Sequence, residues 1–138
     1  MKRELLQNVK VMPYTSGDVL DRSGFLSAVL GIKVSSITGN PNTCKVVLKI
    51  EHGDSEAGDF APVTDEMIAL GETTMSETIG TLKGIPVEAG ENINVDLDLL
   101  GCKDFVKITS SFEFDGGTTP AATASYAVAL GDKNISPV

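Results

Sequence analysis

The feature that most constrains this chain is an alternation of apolar and polar residues with a period of two. Within LSAVLGIKV, every second residue is apolar, from Leu26 through Leu30 to Val34. Successive side chains of a β-strand point to opposite faces, so this period predicts a strand with one buried face. Five segments share the pattern: 26–34, 45–51, 92–100, 103–114 and 124–130.

Turn-forming residues separate these predicted strands. GNPN (39–42), EAGEN (88–92) and DGG (115–117) are rich in Gly and Asn, which tolerate positive φ. The DGGTTP stretch predicts that the last two long strands form a hairpin. Together the segments predict an all-β fold, a single-domain antiparallel β-sandwich of jelly-roll type. An immunoglobulin-like sandwich has the same alternation, so the strand order stays open.

The chain is predicted to be one domain. Its 138 residues are enough for a single core. Residues 1–14 are predicted to be an N-terminal arm leading into the first strand, and residues 15–138 a single β-sandwich domain. The segment 64–83 is less regular: Met67, Ile68 and Leu70 fit a helical turn or a short strand, and the remainder fits a loop.

Charge and hydropathy exclude several function classes. The formal net charge of −8 argues against binding to nucleic acid or to an anionic membrane surface. There is no apolar run of roughly 20 residues, as a membrane helix requires. The N-terminus, MKRELLQNVKVMPY, lacks the apolar segment of a secretory signal, so we expect no export by that route.

The two cysteines are predicted to be buried thiols. Cys44 and Cys102 are spaced like an immunoglobulin-type disulfide, but the chain has no tryptophan and so lacks the Cys–Trp–Cys pattern of that fold. Without a secretory signal, unpaired thiols are the expected state. Neither cysteine has the spacing of a zinc ligand.

The segment IEHGDSEAGDF (50–60) is the first candidate site because it holds the only histidine of the chain. His52 is a candidate general base, which would need a partner distant in sequence. Asp54, Glu56 and Asp59 are candidate calcium ligands, although the EF-hand pattern is not met. The favoured interpretation is a solvated acidic turn between strands, with calcium binding and catalysis as alternatives.

Other residues suggest catalysis or sugar binding only weakly. Ser110 and Ser111 lie outside any G-x-S-x-G motif. Asp96 and Asp98 are predicted on the outward face of a strand, where carboxylates usually solvate the surface. Carbohydrate-binding modules usually stack sugars on aromatic side chains, and this chain has only two tyrosines and no tryptophan. The sequence therefore predicts no enzyme, no metal site and no cofactor.

The N-terminal arm carries part of the chain's positive charge. Four of the eleven basic residues of the chain lie near its start: Lys2, Arg3, Lys10 and Arg22. Such an arm can pack along a neighbouring subunit or a partner. Alternatively, it is a frayed terminus that becomes an edge strand at 9–12.

Several segments resemble a family of small structural proteins of tailed bacteriophages, which are encoded beside the major capsid protein. The similarity covers MKRELLQNVKV, LDRSGFLSAVLGIKV, KVVLKIEHGDSEAGDFAPV and the C-terminal stretch from LLGCKDF to the final Pro-Val, and leaves residues 64–90 poorly matched.

The resemblance implies a capsid decoration or cement protein, a β-sandwich on the exterior of the virion that is assembled in the host cytoplasm. It implies no active site, the major capsid protein as partner, and a homo-oligomeric state, either dimer or trimer. The contacts with the partner are expected from Lys2, Arg3, Leu5 and Leu6 of the arm and from exposed loops. The alternatives are a head–tail or tail component and a carbohydrate-binding β-sandwich module.

Overall fold

The structure is a computed structural model that describes residues 9–64, 76 and 78–133. These residues contain no helix. They form nine strands: β1 (Lys10–Tyr14), β2 (Val19–Asp21), β3 (Phe25–Thr38), β4 (Thr43–Gly53), β5 (Ala61–Pro62), β6 (Ile85–Pro86), β7 (Asn92–Asp98), β8 (Phe105–Asp115) and β9 (Ala121–Lys133). The predicted all-β class is confirmed, and each of the five alternating segments corresponds to one of the longer strands.

The strands form two antiparallel sheets that pack together as a sandwich. Sheet A has the strand order β1-β9-β3-β7. Sheet B has the order β2-β8-β4, and the short strands β5 and β6 both pair with the side of β4 that faces away from β8.

The pairing pattern makes the sandwich a jelly roll. The first strand pairs with the last, β2 pairs with β8, β3 with β7, and β4 with both β5 and β6. The chain is thus one long set of paired strands, wrapped so that β3 also pairs with β9 and β4 with β8. This arrangement resolves the choice of strand order that the alternation left open.

The core lies between the inner faces of the two sheets. Buried on sheet A are Ala28, Leu30, Ile32 and Val34 of β3, Val95 and Leu97 of β7, and Val128 and Leu130 of β9. Buried on sheet B are Cys44, Val46, Leu48 and Ile50 of β4, and Val106 and Ile108 of β8. Burial of one such aliphatic side chain contributes roughly 1.5–3 kcal/mol, so the period-two pattern is the main determinant of the fold.

The predicted hairpin between the last two long strands is wrong. β8 lies in sheet B and β9 in sheet A, so residues 116–120 connect the two sheets. The turn at 39–42 makes the same kind of crossing from β3 to β4, and the two turns touch where the N–H of Thr118 donates to the carbonyl of Gly39 (2.8 Å). Residues with positive φ reverse the chain in both turns. That local reversal is the same whether the next strand stays in the sheet or crosses to the facing one.

Tyr14 ties the edge of sheet A to sheet B. Its ring is buried, and its hydroxyl accepts a hydrogen bond from the N–H of Ile108 in β8 (2.9 Å) and donates to the carbonyl of Asp18. Burial raises the pKa of Tyr14 to about 12, and the nearby Asp18 carboxylate acts in the same direction. The neutral phenol of Tyr14 therefore makes hydrogen bonds to backbone groups at the point where the chain passes from sheet A to sheet B.

Candidate functional site

The acidic segment after β4 is an exposed surface loop. Residues 54–59 are all exposed, and the chain returns towards β4 at Phe60, whose ring centre lies 4.5 Å from the ammonium of Lys107. This geometry agrees with the solvated turn that was favoured from the sequence.

His52 contacts the loop between β7 and β8. Its Nδ1 accepts a hydrogen bond from the N–H of Lys103 (3.1 Å), and the Lys103 ammonium lies 3.4 Å from a carboxylate oxygen of Asp54. Burial lowers the pKa of His52, the positive charge of Lys103 lowers it further, and Asp54 opposes both effects. Because Nδ1 accepts a hydrogen bond from a backbone N–H, its lone pair is engaged in holding the structure together. This is a structural role for a neutral imidazole.

The predicted calcium ligands do not converge. Across the residues that the structure describes, no group of three or more His, Cys, Asp or Glu side chains is placed to hold a metal ion. Asp54, Glu56 and Asp59 all project from the exposed loop, and Asp54 is engaged with Lys103. The geometry therefore gives no support to the calcium alternative.

The serine pair is not placed beside the histidine. Ser110 pairs with Leu48 in the register of β4 and β8, four residues along β4 from His52, or about 13 Å. Its Oγ accepts a hydrogen bond from the hydroxyl of Tyr126 (2.7 Å). Ser111 is exposed on the outer face of sheet B. These positions do not assemble a Ser–His pair.

The paired carboxylates of β7 have separate surroundings. Asp96 is exposed, as predicted for a solvating residue, and a carboxylate oxygen of Asp98 accepts a hydrogen bond from the N–H of Leu100 (3.0 Å) at the end of the strand. Neither tyrosine offers an exposed stacking surface, because Tyr14 is buried and Tyr126 is half-buried.

The two cysteines are buried and are not joined by a disulfide, as predicted. Cys44 lies near the start of β4, whereas Cys102 lies in the loop that contacts His52 near the other end of that strand. The two ends are roughly 25 Å apart along β4. Burial raises the pKa of the Cys44 thiol, which disfavours the reactive thiolate.

The predicted arm contacts Lys2, Arg3, Leu5 and Leu6 lie outside the described residues. The described part of the arm is 9–14, of which Lys10–Tyr14 form β1 at the edge of sheet A.

Arg22 does not belong to a basic surface cluster. It is 9% exposed, and its guanidinium donates hydrogen bonds to the backbone carbonyls of Lys103 (3.1 Å), Phe25 (3.2 Å) and Cys102. The side chain thus holds the turn before β3 against the loop before β8. Sequence reasoning missed this role because the three carbonyls come from two distant segments.

The middle of the outer face of sheet A carries no charge, whereas Lys33, Asp96 and Asp98 lie at its margins. We define the uncharged face as Val11, Pro13, Ser27, Val29, Gly31, Ser125, Ala127, Ala129 and Gly131. These residues belong to β1, β9 and β3, and the strand register places Val11, Ala129 and Val29 in one row. Lys33 borders the face at one end, and Asp96 and Asp98 border it along β7.

The outer face of sheet B is charged. Seven charged residues lie on it: Asp21, Lys45, Lys49, Glu51, Lys107, Glu113 and Asp115. Two opposite-charge pairs lie directly across the strands, Lys45 with Glu113 and Glu51 with Lys107. This face has the character of a solvated surface, in contrast to the outer face of sheet A.

Comparisons with protein-family models, with curated proteins and with solved structures find no match to this chain. None of the described residues forms a helix long and apolar enough to cross a membrane.

Proposed function

We propose that this chain is a non-enzymatic structural protein of a tailed-phage virion, which binds the outer surface of the capsid and stabilises the shell. The observation that carries the proposal is the contrast between the two outer faces of the sandwich. A domain with one charged face and one face that is uncharged over its middle is suited to lie between water and another protein. The resemblance of its segments to phage proteins encoded beside the major capsid protein supplies the nature of that other protein.

Such a protein acts through binding energy rather than through chemistry. It stabilises the shell to the extent that it binds the mature lattice more tightly than precursor or unfolded states. Many copies on a symmetric lattice make a weak single contact effective, particularly if the protein is itself a dimer or trimer. The exposed acidic loop at 54–59 would then face solvent and keep particles mutually repelling.

Co-sedimentation tests this proposal. The purified protein is mixed with expanded, undecorated capsids and with precursor shells of the phage that encodes it, and its mass in free solution is measured alongside. We expect saturable binding to mature shells and weaker binding to precursor shells. No binding to either form would refute the proposal, and a ring or tube in free solution would move the protein to the tail.

A further inference from the structure

We infer that the uncharged face of sheet A is the surface that docks on the shell, and that Gly31 and Gly131 mark where the partner approaches the backbone most closely. This inference rests on the proposed function and assigns the contact surface within it. Two observations carry it: glycines that the fold itself does not require, and an exposed apolar row beside them.

Gly31 and Gly131 lie inside the two central strands of sheet A, where glycine is destabilising. Neither has the positive φ that favours glycine. A Cβ built on Gly31 would meet Asn94 Oδ1 at 3.5 Å and the carbonyl of Ala127 at 3.7 Å, and one on Gly131 would meet Ser27 Oγ at 3.6 Å. These are ordinary contacts, so the chain's own packing leaves room for a side chain at both positions. A strand glycine marks a bulge, a bend or a close approach of another backbone, and on this exposed face we assign the two glycines to close approach.

The apolar row crosses the same face. Val11 is 69% exposed and Val29 is 37% exposed, and Ala129 lies between them in the register. Beside the row is a shallow depression of 330 Å³ over Gly31, bordered by Lys33, Asn92, Asn94, Ser125 and Ala127. A partner surface can therefore rest on the row and insert one side chain into the depression.

Charge and area indicate which partner fits. Three carboxylates lie together at one end of the face: Asp98 is paired with Ser27, Asp132 accepts a hydrogen bond from the Ser27 hydroxyl (2.8 Å), and Asp96 is the next outward residue of β7. Two copies of a chain with a net charge of −8 would repel each other, whereas a partner with Lys or Arg opposite this acidic end would be attracted.

The area argues in the same direction. The uncharged face covers three strands about 4.8 Å apart and extends at most over residues 125–131, or about 23 Å, which gives an area of about 330 Å². A stable interface between two free proteins usually needs about 800 Å² from each partner. The occupant is therefore a different protein, presented many times on a lattice: a capsid subunit with an uncharged surface flanked by basic residues.

Four variants test the inference by quantitative co-sedimentation with expanded, undecorated capsids. Gly31→Val and Ala127→Gln add bulk to the uncharged face, and Ser111→Gln is the matched control at an exposed position of sheet B. Asp96→Asn removes one charge from the acidic end. Melting temperature is measured for each variant, so that loss of binding is separated from loss of folding.

We expect Gly31→Val and Ala127→Gln to bind at least tenfold more weakly, with melting temperatures equal to or above that of the wild type. Ser111→Gln should bind as the wild type does. Asp96→Asn should bind more weakly at low salt, and its affinity should depend less on NaCl concentration.

Several results would overturn the inference. If the wild type binds and both bulk-adding variants bind equally well, the face is wrong although the proposed function stands. If the wild type does not bind, the proposed function fails and the inference fails with it. If the wild type self-associates in free solution and Gly31→Val abolishes this, the occupant is a second copy rather than a capsid subunit.

Discussion

Removing the hydroxyl of Tyr14 should destabilise the fold by an amount that depends on pH. In Tyr14→Phe, the N–H of Ile108 loses the oxygen that accepts its hydrogen bond at 2.9 Å inside the sandwich. Leaving a buried backbone donor without a partner costs about 1–3 kcal/mol. We therefore expect the free energy of unfolding to fall by about 2 kcal/mol at pH 7, measured by urea titration.

The pH dependence follows from the raised pKa of Tyr14. Burial raises that pKa from 10.0 to about 12, so the folded state keeps the phenol protonated over a range where the unfolded chain has ionised. The contribution of this group is fully present below pH 10 and is lost as pH rises towards 12. At pH 11 the wild type should have lost about 1.4 kcal/mol through this group, because each unit of pKa difference corresponds to about 1.4 kcal/mol.

Tyr14→Phe lacks this titration, so the gap between variant and wild type should narrow from about 2 kcal/mol at pH 7 to about 0.6 kcal/mol at pH 11. Tyr126→Phe is the comparison variant, because its hydroxyl bonds a side chain, Ser110 Oγ, rather than a backbone N–H. We expect it to cost about 1 kcal/mol at pH 7. A gap between Tyr14→Phe and wild type that stays constant from pH 7 to pH 11 would refute the reasoning.

Three further predictions concern the loops that hold the two sheets together. Arg22→Lys should lower the free energy of unfolding in urea by about 2 kcal/mol, because an ammonium cannot reach three carbonyls in the geometry of a guanidinium; a loss below about 0.5 kcal/mol would contradict this role. Gly117→Ala should cost at least about 1 kcal/mol more than Gly90→Ala. Both glycines have φ near +85°, but a Cβ on Gly117 would lie 2.6 Å from the carbonyl of Gly39, whereas one on Gly90 meets open space. Equal losses in thermal unfolding would show that the turns do not pack as described. Burial lowers the pKa of His52 below 6.5, so its neutral form is favoured by folding and stability should fall as pH drops through 6.5. In urea titrations between pH 7 and pH 5, the free energy of unfolding of His52→Gln should fall less than that of the wild type. An equal fall in both proteins would contradict this role of His52.

The strands and the core were predictable from the sequence because burial of one face imposes a period of two. Leu30 was assigned to a buried face by alternation alone, and Val46 and Val128 have the corresponding positions in the alternating segments 45–51 and 124–130; all three are buried. The pairing of strands was not predictable in the same way. A turn such as DGGTTP reverses the chain locally, and nothing in it distinguishes a hairpin from a crossing between sheets.

Functional surfaces were harder to predict than the core. Ser125, Ala127 and Ala129 are the outward residues of the alternating segment 124–130, but the uncharged face exists only because β9 lies between β1 and β3. Arg22 was misjudged for a similar reason, since its burial depends on a loop about 80 residues away. Both cases involve contacts between segments that are distant in the chain.

The pairing of the first strand with the last has a consequence for how the protein is made. Among the described strands, β1 pairs in sheet A only with β9, and β9 also separates β1 from β3. During synthesis, sheet A cannot be completed until residues 121–133 have left the ribosome, and until then the edges of β1 and β3 are open to pairing with other chains. A topology of such distant contacts also folds slowly. Emergence of β9 is therefore the step at which the nascent chain passes from aggregation-prone to protected.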